Sequence, residues 1–160
     1  MKKILVLATL VMMSQAIVFA QNDKSVKEAD VPVRYVKDFK NQAQDAQNVT
    51  WTMAADSSAY MATFTGVDGD KQAIRFTSKT TEKRYYIEEQ YIPHAIKDTV
   101  AHQYPKHKIS EVYIRNLKGK MTYQCRIYQK KGFLFWKKEA FVKCLSFETN
   151  SKLIEIQDEK

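Results

Sequence analysis

Apolar and polar positions along this chain follow three successive patterns. In the first, Lys2 and Lys3 precede an apolar run from Ile4 to Met13, and Val18-Phe19-Ala20 ends the segment with small or short residues at the positions a signal peptidase reads. This is the three-part form of a secretory signal over residues 1–20, and cleavage after Ala20 leaves Gln21 as the new N-terminus. A retained membrane anchor is the competing reading. Polar Ser14 and Gln15 interrupt the segment, however, and leave it short of the roughly 20 apolar residues a span needs. No Cys follows the cleavage site to take a lipid anchor.

After a polar leader over residues 21–30, expected to be flexible, the second pattern has the spacing of a helix. Val31-Pro32 opens a stretch with Tyr35 and Phe39 four apart, and Ile92-Pro93 opens another with Ile96, Val100 and Tyr104 at the same interval. Proline is tolerated in a first helical turn, where its missing N–H has no partner to lose, and the i, i+4 apolar residues line one face. Asp30 is the expected N-cap of the first helix. The third pattern is strict alternation, which marks strands. In the first half the strands are 49–53, 59–65, 72–77 and 83–88, separated by Asp56-Ser57-Ser58 and Asp68-Gly69. In the second they are 109–115, 120–129, 136–147 and 153–157, with turns at 116–119 and Asn150-Ser151. Met121, Tyr123, Cys125 and Ile127 share one face, and Thr122, Gln124 and Arg126 the other, as a sheet with one covered face requires.

The expected fold class is therefore α+β, with two tandem repeats, each a helix followed by a four-stranded antiparallel meander, over 31–90 and 91–160 of a single domain. Periodicity leaves open whether the strands make one continuous sheet or two packed sheets. A cystatin-like single sheet wrapping one helix is the fallback.

The stretch Ile92-Pro93-His94-Ala95-Ile96, then Val100, Tyr104-Pro105, Ile109 and Val112, resembles the helix opening of the PepSY-like family, itself described as resembling beta-lactamase inhibitory protein. Val31-Pro32 through Phe39 to Ala46-Gln47-Asn48-Val49-Thr50-Trp51 is similar to the other half of that pattern. The resemblance spans most of residues 31–157. One departure is Gln44, which stands where the second half has Pro105, so the first helix lacks that stop signal. The resemblance implies an exported protein of Bacteroides-type bacteria, inhibitor-like in form, and it carries over no catalytic residues.

Charge refines this picture. Without Lys2 and Lys3 the chain holds 24 basic and 18 acidic residues; residues 21–90 are near balance, with 10 basic against 11 acidic, while residues 91–160 hold 14 against 7. Electrostatic steering would come from the C-terminal half, although a solvated, soluble face explains the same excess. No recognised nucleic-acid module accompanies it, and export separates the chain from most nucleic acid.

The candidate chemistry is sparse. His94, His102 and His107 are the only histidines; His94 and His102 lie eight apart, about two helical turns, too far in height to share a metal ion. There is no G-x-S-x-G elbow and no glycine-rich phosphate loop, with Gly occurring four times in all. No cofactor and no metal are expected. Asp68-Gly69-Asp70 lacks the further acidic ligands of a calcium loop and reads as a turn. Trp51, Tyr85 and Tyr86 read as core, with lining of a concave sheet as the alternative.

Cys125 and Cys144 both fall in expected strands, where inert buried thiols are the rule. Export also permits a disulfide between them. A hairpin turning at Lys131-Gly132 places Cys125 opposite Lys138 and Cys144 far away, whereas direct opposition requires a loop centred on Leu134 and Phe135. The strongest candidate surface is Lys130 to Lys138, where Phe133, Leu134, Phe135 and Trp136 stand between lysine pairs that include Lys137 and Lys138. As a hairpin tip it is a contact surface for a protein or peptide, aromatics supplying area and lysines steering. As a strand it continues into the core. These readings point to a periplasmic or secreted, non-catalytic module that binds a protein or peptide through its sheet face and the 130–138 hairpin. The alternative is an envelope-surface protein that binds anionic lipid or polysaccharide through its basic C-terminal half, and an enzyme of unrecognised type is the third class.

Overall fold

A computed structural model describes residues 23–131 and 138–159. Within them the chain forms one antiparallel sheet whose strands lie side by side in chain order. They are β1 (Lys24–Val26), β2 (Gln47–Met53), β3 (Ala59–Thr65), β4 (Lys71–Thr77), β5 (Thr81–Ile87), β6 (Lys108–Leu117), β7 (Lys120–Lys131), β8 (Lys138–Phe147) and β9 (Leu153–Glu159). Helix α1 (Val33–Gln42) lies between β1 and β2, and helix α2 (His94–Gln103) between β5 and β6.

The two-repeat architecture expected from the sequence is corrected by this topology. The structure is mostly a single nine-stranded sheet with two short helices. β5 pairs with β6 over six consecutive residues, from Glu82 opposite Leu117 to Ile87 opposite Val112, so no boundary divides the ladder. The physical reason is that alternation reports which face of a strand is covered and is silent about which neighbour its edge takes. Two separate meanders would leave four unpaired edges; one continuous ladder leaves two.

The leader is corrected as well. Lys24–Val26, expected to be flexible, pairs with β2, Val26 standing opposite Trp51 and packing against the core. One apolar residue in a polar run was too weak a pattern to reveal it. Asp30 caps no helix: it ends a single 3-10 turn over Glu28–Asp30, and Pro32 and Pro93 occupy the N-cap positions of α1 and α2. Both helices end on a backbone bond of the same kind, Ala43 N–H donating to the Phe39 carbonyl and Tyr104 N–H to that of Val100. α1 thus stops without the proline that Gln44 replaces.

Both helices cover the same face of the sheet. On α1, Tyr35 and Phe39 pack on Trp51, Ala62, Phe64, Ile74 and Phe76; on α2, Ile96 and Val100 pack on Val112, Cys125, Ile127, Leu145 and Phe147. The register joins the two clusters. Trp51, Ala62 and Ile74 stand opposite one another across β2, β3 and β4, and Ile87, Val112, Cys125 and Leu145 do so across β5 to β8. Ile74 faces Lys83, an even number of residues from Ile87, so the two rows share a side. The β6–β7 connection is a two-residue turn at Lys118 and Gly119, both with positive φ, as a tight hairpin requires, and the Gly119 N–H donates to Asn116 Oδ1. No helix among the described residues is long and apolar enough to cross a membrane.

Candidate functional site

With both helices on one side, the opposite face of the sheet carries no helix among the described residues. The same register assigns its side chains: Arg84, Arg115 and Thr122 stand opposite one another across β5, β6 and β7; Tyr86, Tyr113, Gln124 and Ser146 continue across to β8; and Glu111, Arg126 and Cys144 form the next row. This face is strongly polar, yet Tyr113, Thr122, Gln124 and Ser146 are all buried. Curvature accounts for part of that. Thr52 on β2 and Arg126 on β7 line one small cavity, although strands five places apart in a flat sheet would stand roughly 24 Å from each other. The helix-free face is therefore concave.

Many of its polar groups pair with one another. Arg84 Nε donates to Glu82 Oε1 at 2.6 Å, and Arg126 Nη1 donates to Glu111 Oε1 at 2.8 Å. The Arg84 guanidinium lies 4.9 Å from the centre of the Tyr113 ring, which meets the Tyr86 ring at 5.5 Å, and Lys71 Nζ lies 4.2 Å from the Tyr86 ring on its other flank. Gln124 joins the rows: its Nε2 donates to Thr122 Oγ1, and its Oε1 accepts from Ser146 Oγ and Cys144 Sγ. Burial, the largest cause, pushes the Tyr86 and Tyr113 phenols above their ordinary range, so both stay protonated and able to donate. The result is a rigid surface of Tyr and Arg, the residue types that dominate binding hot spots.

Of the residues singled out from sequence, Phe133, Leu134, Phe135, Trp136 and Lys137 lie outside the described residues. Lys138 opens β8 opposite Lys131, the last residue of β7. Trp51 belongs to the helix-covered core, whereas Tyr86 belongs to the concave face. The three histidines do not converge: His94 opens α2, His102 lies in its last turn, and His107 follows the helix with its ring edge-on to Tyr104. Among the described residues no group of three or more His, Cys, Asp or Glu is placed to hold a metal ion. Arg84, Tyr113 and Glu111 were not read from sequence as site residues. The signal that could have found them is the alternation itself, which put Thr122, Gln124 and Arg126 together on the face without apolar residues.

The cysteines are both buried and are not joined. Near the loop the register sets Gln129 opposite Ala140 and, carried on unchanged, would set Cys125 opposite Cys144. A bulge between Tyr128 and Gln129 absorbs one extra residue, position 141 in β8, and beyond it Cys125 stands opposite Leu145 and Cys144 opposite Arg126. The two thiols therefore point to opposite faces. Burial pushes the Cys125 thiol up to about 12, leaving roughly one molecule in ten thousand as the reactive thiolate at pH 8. An aromatic disulfide reagent at pH 8 is expected to label neither thiol in the folded protein over minutes and to titrate two in urea. A titre below two in urea would show that the pair is bridged.

Neither a family profile nor a characterised sequence matches the chain. Solved structures do. A DUF2874 family protein from Bacteroides uniformis ATCC 8492 superposes with a TM-score of 0.56 at 16% identity, covering 80% of this chain and 89% of that one. A BLIP-like protein from Bacteroides fragilis NCTC 9343 does so with a TM-score of 0.54 at 14% identity, covering 80% and 86%. Neither is described as an enzyme. At such identities the likeness concerns the fold alone, and the fold of this chain is BLIP-like.

Proposed function

We propose that this chain is an exported, non-catalytic binding module, PepSY-like in sequence pattern, that holds a protein or peptide on the concave face of its sheet and against the 130–138 hairpin. The observation that carries the reading is the composition of that face, where Tyr86, Tyr113 and Arg84 pack on one another and Arg126 is held by Glu111, on a surface that neither helix covers. Preorganised aromatic and guanidinium groups lose little entropy on binding, which is what a contact surface needs. The inhibitor-like description suits a module of this shape and names no target.

The test is capture from envelope extract by the purified protein and by two variants, one with Phe133, Phe135 and Trp136 changed to Ser and one with Tyr86→Ala. A partner held by the wild type and lost about tenfold or more in either folded variant is the expected result, since a central aromatic of a hot spot is worth about 2 kcal/mol or more. A partner held equally by all three overturns the reading. Capture that instead fades with salt, and follows lysine substitutions in the C-terminal half, would assign the protein to anionic lipid or polysaccharide.

A further inference from the structure

We propose that the concave face contains a carboxylate pocket, built from Arg75, Arg84, Arg126 and Thr52, that receives an Asp or Glu side chain of the bound partner; this rests on the binding-module reading above. The pocket is a cavity of about 80 Å³ to which β2, β4, β5 and β7 each contribute one of these residues. A cavity of that order has room for a few waters, and so for one small oxyanion that replaces them.

Three observations assign its ligand. The first is charge. Across β4 to β7 this face holds four guanidinium groups, of Arg75, Arg84, Arg115 and Arg126, against the carboxylates of Glu82 and Glu111. Arg84 stands directly opposite Arg115, and Glu82, which itself stands opposite Arg75, is already paired with Arg84 as Glu111 is with Arg126, so two of the four guanidinium groups are left without a carboxylate in contact among the described residues. Arg75 makes no ion pair with the described residues. The second is an unsatisfied donor. Thr52 Oγ1, on the wall of this cavity, is buried without a hydrogen-bond partner, and so is Arg115 Nε on the same face. Buried donors without acceptors are rare because each forfeits a bond it made with water. An oxyanion in the cavity supplies an acceptor to Thr52 and counter-charge to the arginines together. The third is Asp23, an acidic residue of the chain itself that lines the same cavity from just ahead of β1.

The probes are the peptide Ac-Gly-Glu-Gly-NH2, its Gln counterpart and inorganic phosphate, each titrated into the isotope-labelled protein while the Arg84 and Arg126 Nε–H and Thr52 amide resonances are followed. The Glu peptide is expected to shift all three and the Gln peptide none. Arg75→Gln weakens the Glu peptide about tenfold, the loss of one charge-assisted hydrogen bond. Thr52→Val, which keeps the side-chain volume, weakens it less while raising the unfolding temperature of the unliganded protein. Asp23→Asn removes a competing carboxylate and tightens binding. Equal response to the Glu and Gln peptides overturns the pocket, as does a response to phosphate alone. If the captured partner is retained unchanged by Arg75→Gln and Thr52→Val, the pocket falls and the binding module stands. If no partner is captured and the Glu peptide still titrates at these residues, the pocket stands and the binding module falls.

Discussion

Arg84→Met should cost about 3–5 kcal/mol of folding stability, the loss typical of removing one partner from a buried ion pair. The side chains of Arg84 and Glu82 are only 12% and 11% exposed, and their contact is 2.6 Å. Without the guanidinium, the Glu82 carboxylate stays in the curve of the sheet with its nearest counter-charge gone, and Tyr113 loses the cation packed over its ring. Much of that cost comes from isolating Glu82 rather than from losing an attraction. The double variant Glu82→Gln, Arg84→Met is therefore expected to recover most of the stability, because neither charge is left buried alone. Urea unfolding of the three variants measures this. A single-variant loss below about 1 kcal/mol would place the pair with solvent-exposed salt bridges and remove the claim that this face is preorganised.

Phe76→Ala should be as damaging, again by about 3–5 kcal/mol, from the other side of the sheet. Phe76 is 1% exposed on β4, with its ring 5.4 Å from that of Tyr35 on α1 and 6.0 Å from that of Trp51 on β2. It is where the helix, a central strand and a near-edge strand meet, so truncation removes transfer energy and leaves a cavity that the two neighbouring rings cannot fill. A fall of roughly 10 °C or more in the unfolding midpoint is expected for a domain of this size. Ile154→Ala on β9, a side chain already 43% exposed, is the control and should change stability by no more than about 0.5 kcal/mol. A small effect at Phe76 would mean that the first core cluster does not limit stability.

Much of the secondary structure was legible in the order of residues. Alternation located β3 at Ala59–Thr65, and the proline-led i, i+4 spacing located both helices. The path of the sheet was not legible, because the pairing of β5 with β6 is carried by backbone groups that every residue shares. β1 was hidden for a related reason: of the two positions a three-residue strand turns to the covered side, one is Lys24, and a lone Val26 makes no period. The concave face was half legible. Its polarity followed from Thr122, Gln124 and Arg126, while its meaning depends on curvature that brings β2 within reach of β7, and no local pattern encodes that. The bulge at position 141 escaped for the same reason, since a one-residue shift in register leaves no mark on composition.

That bulge decides how the chain answers to oxidants. The thickness of the sheet separates the two sulfurs, so the fold takes no covalent support from its cysteines. Folding in a reducing medium and in an oxidising one is therefore expected to reach the same structure, without waiting on any catalyst of disulfide formation.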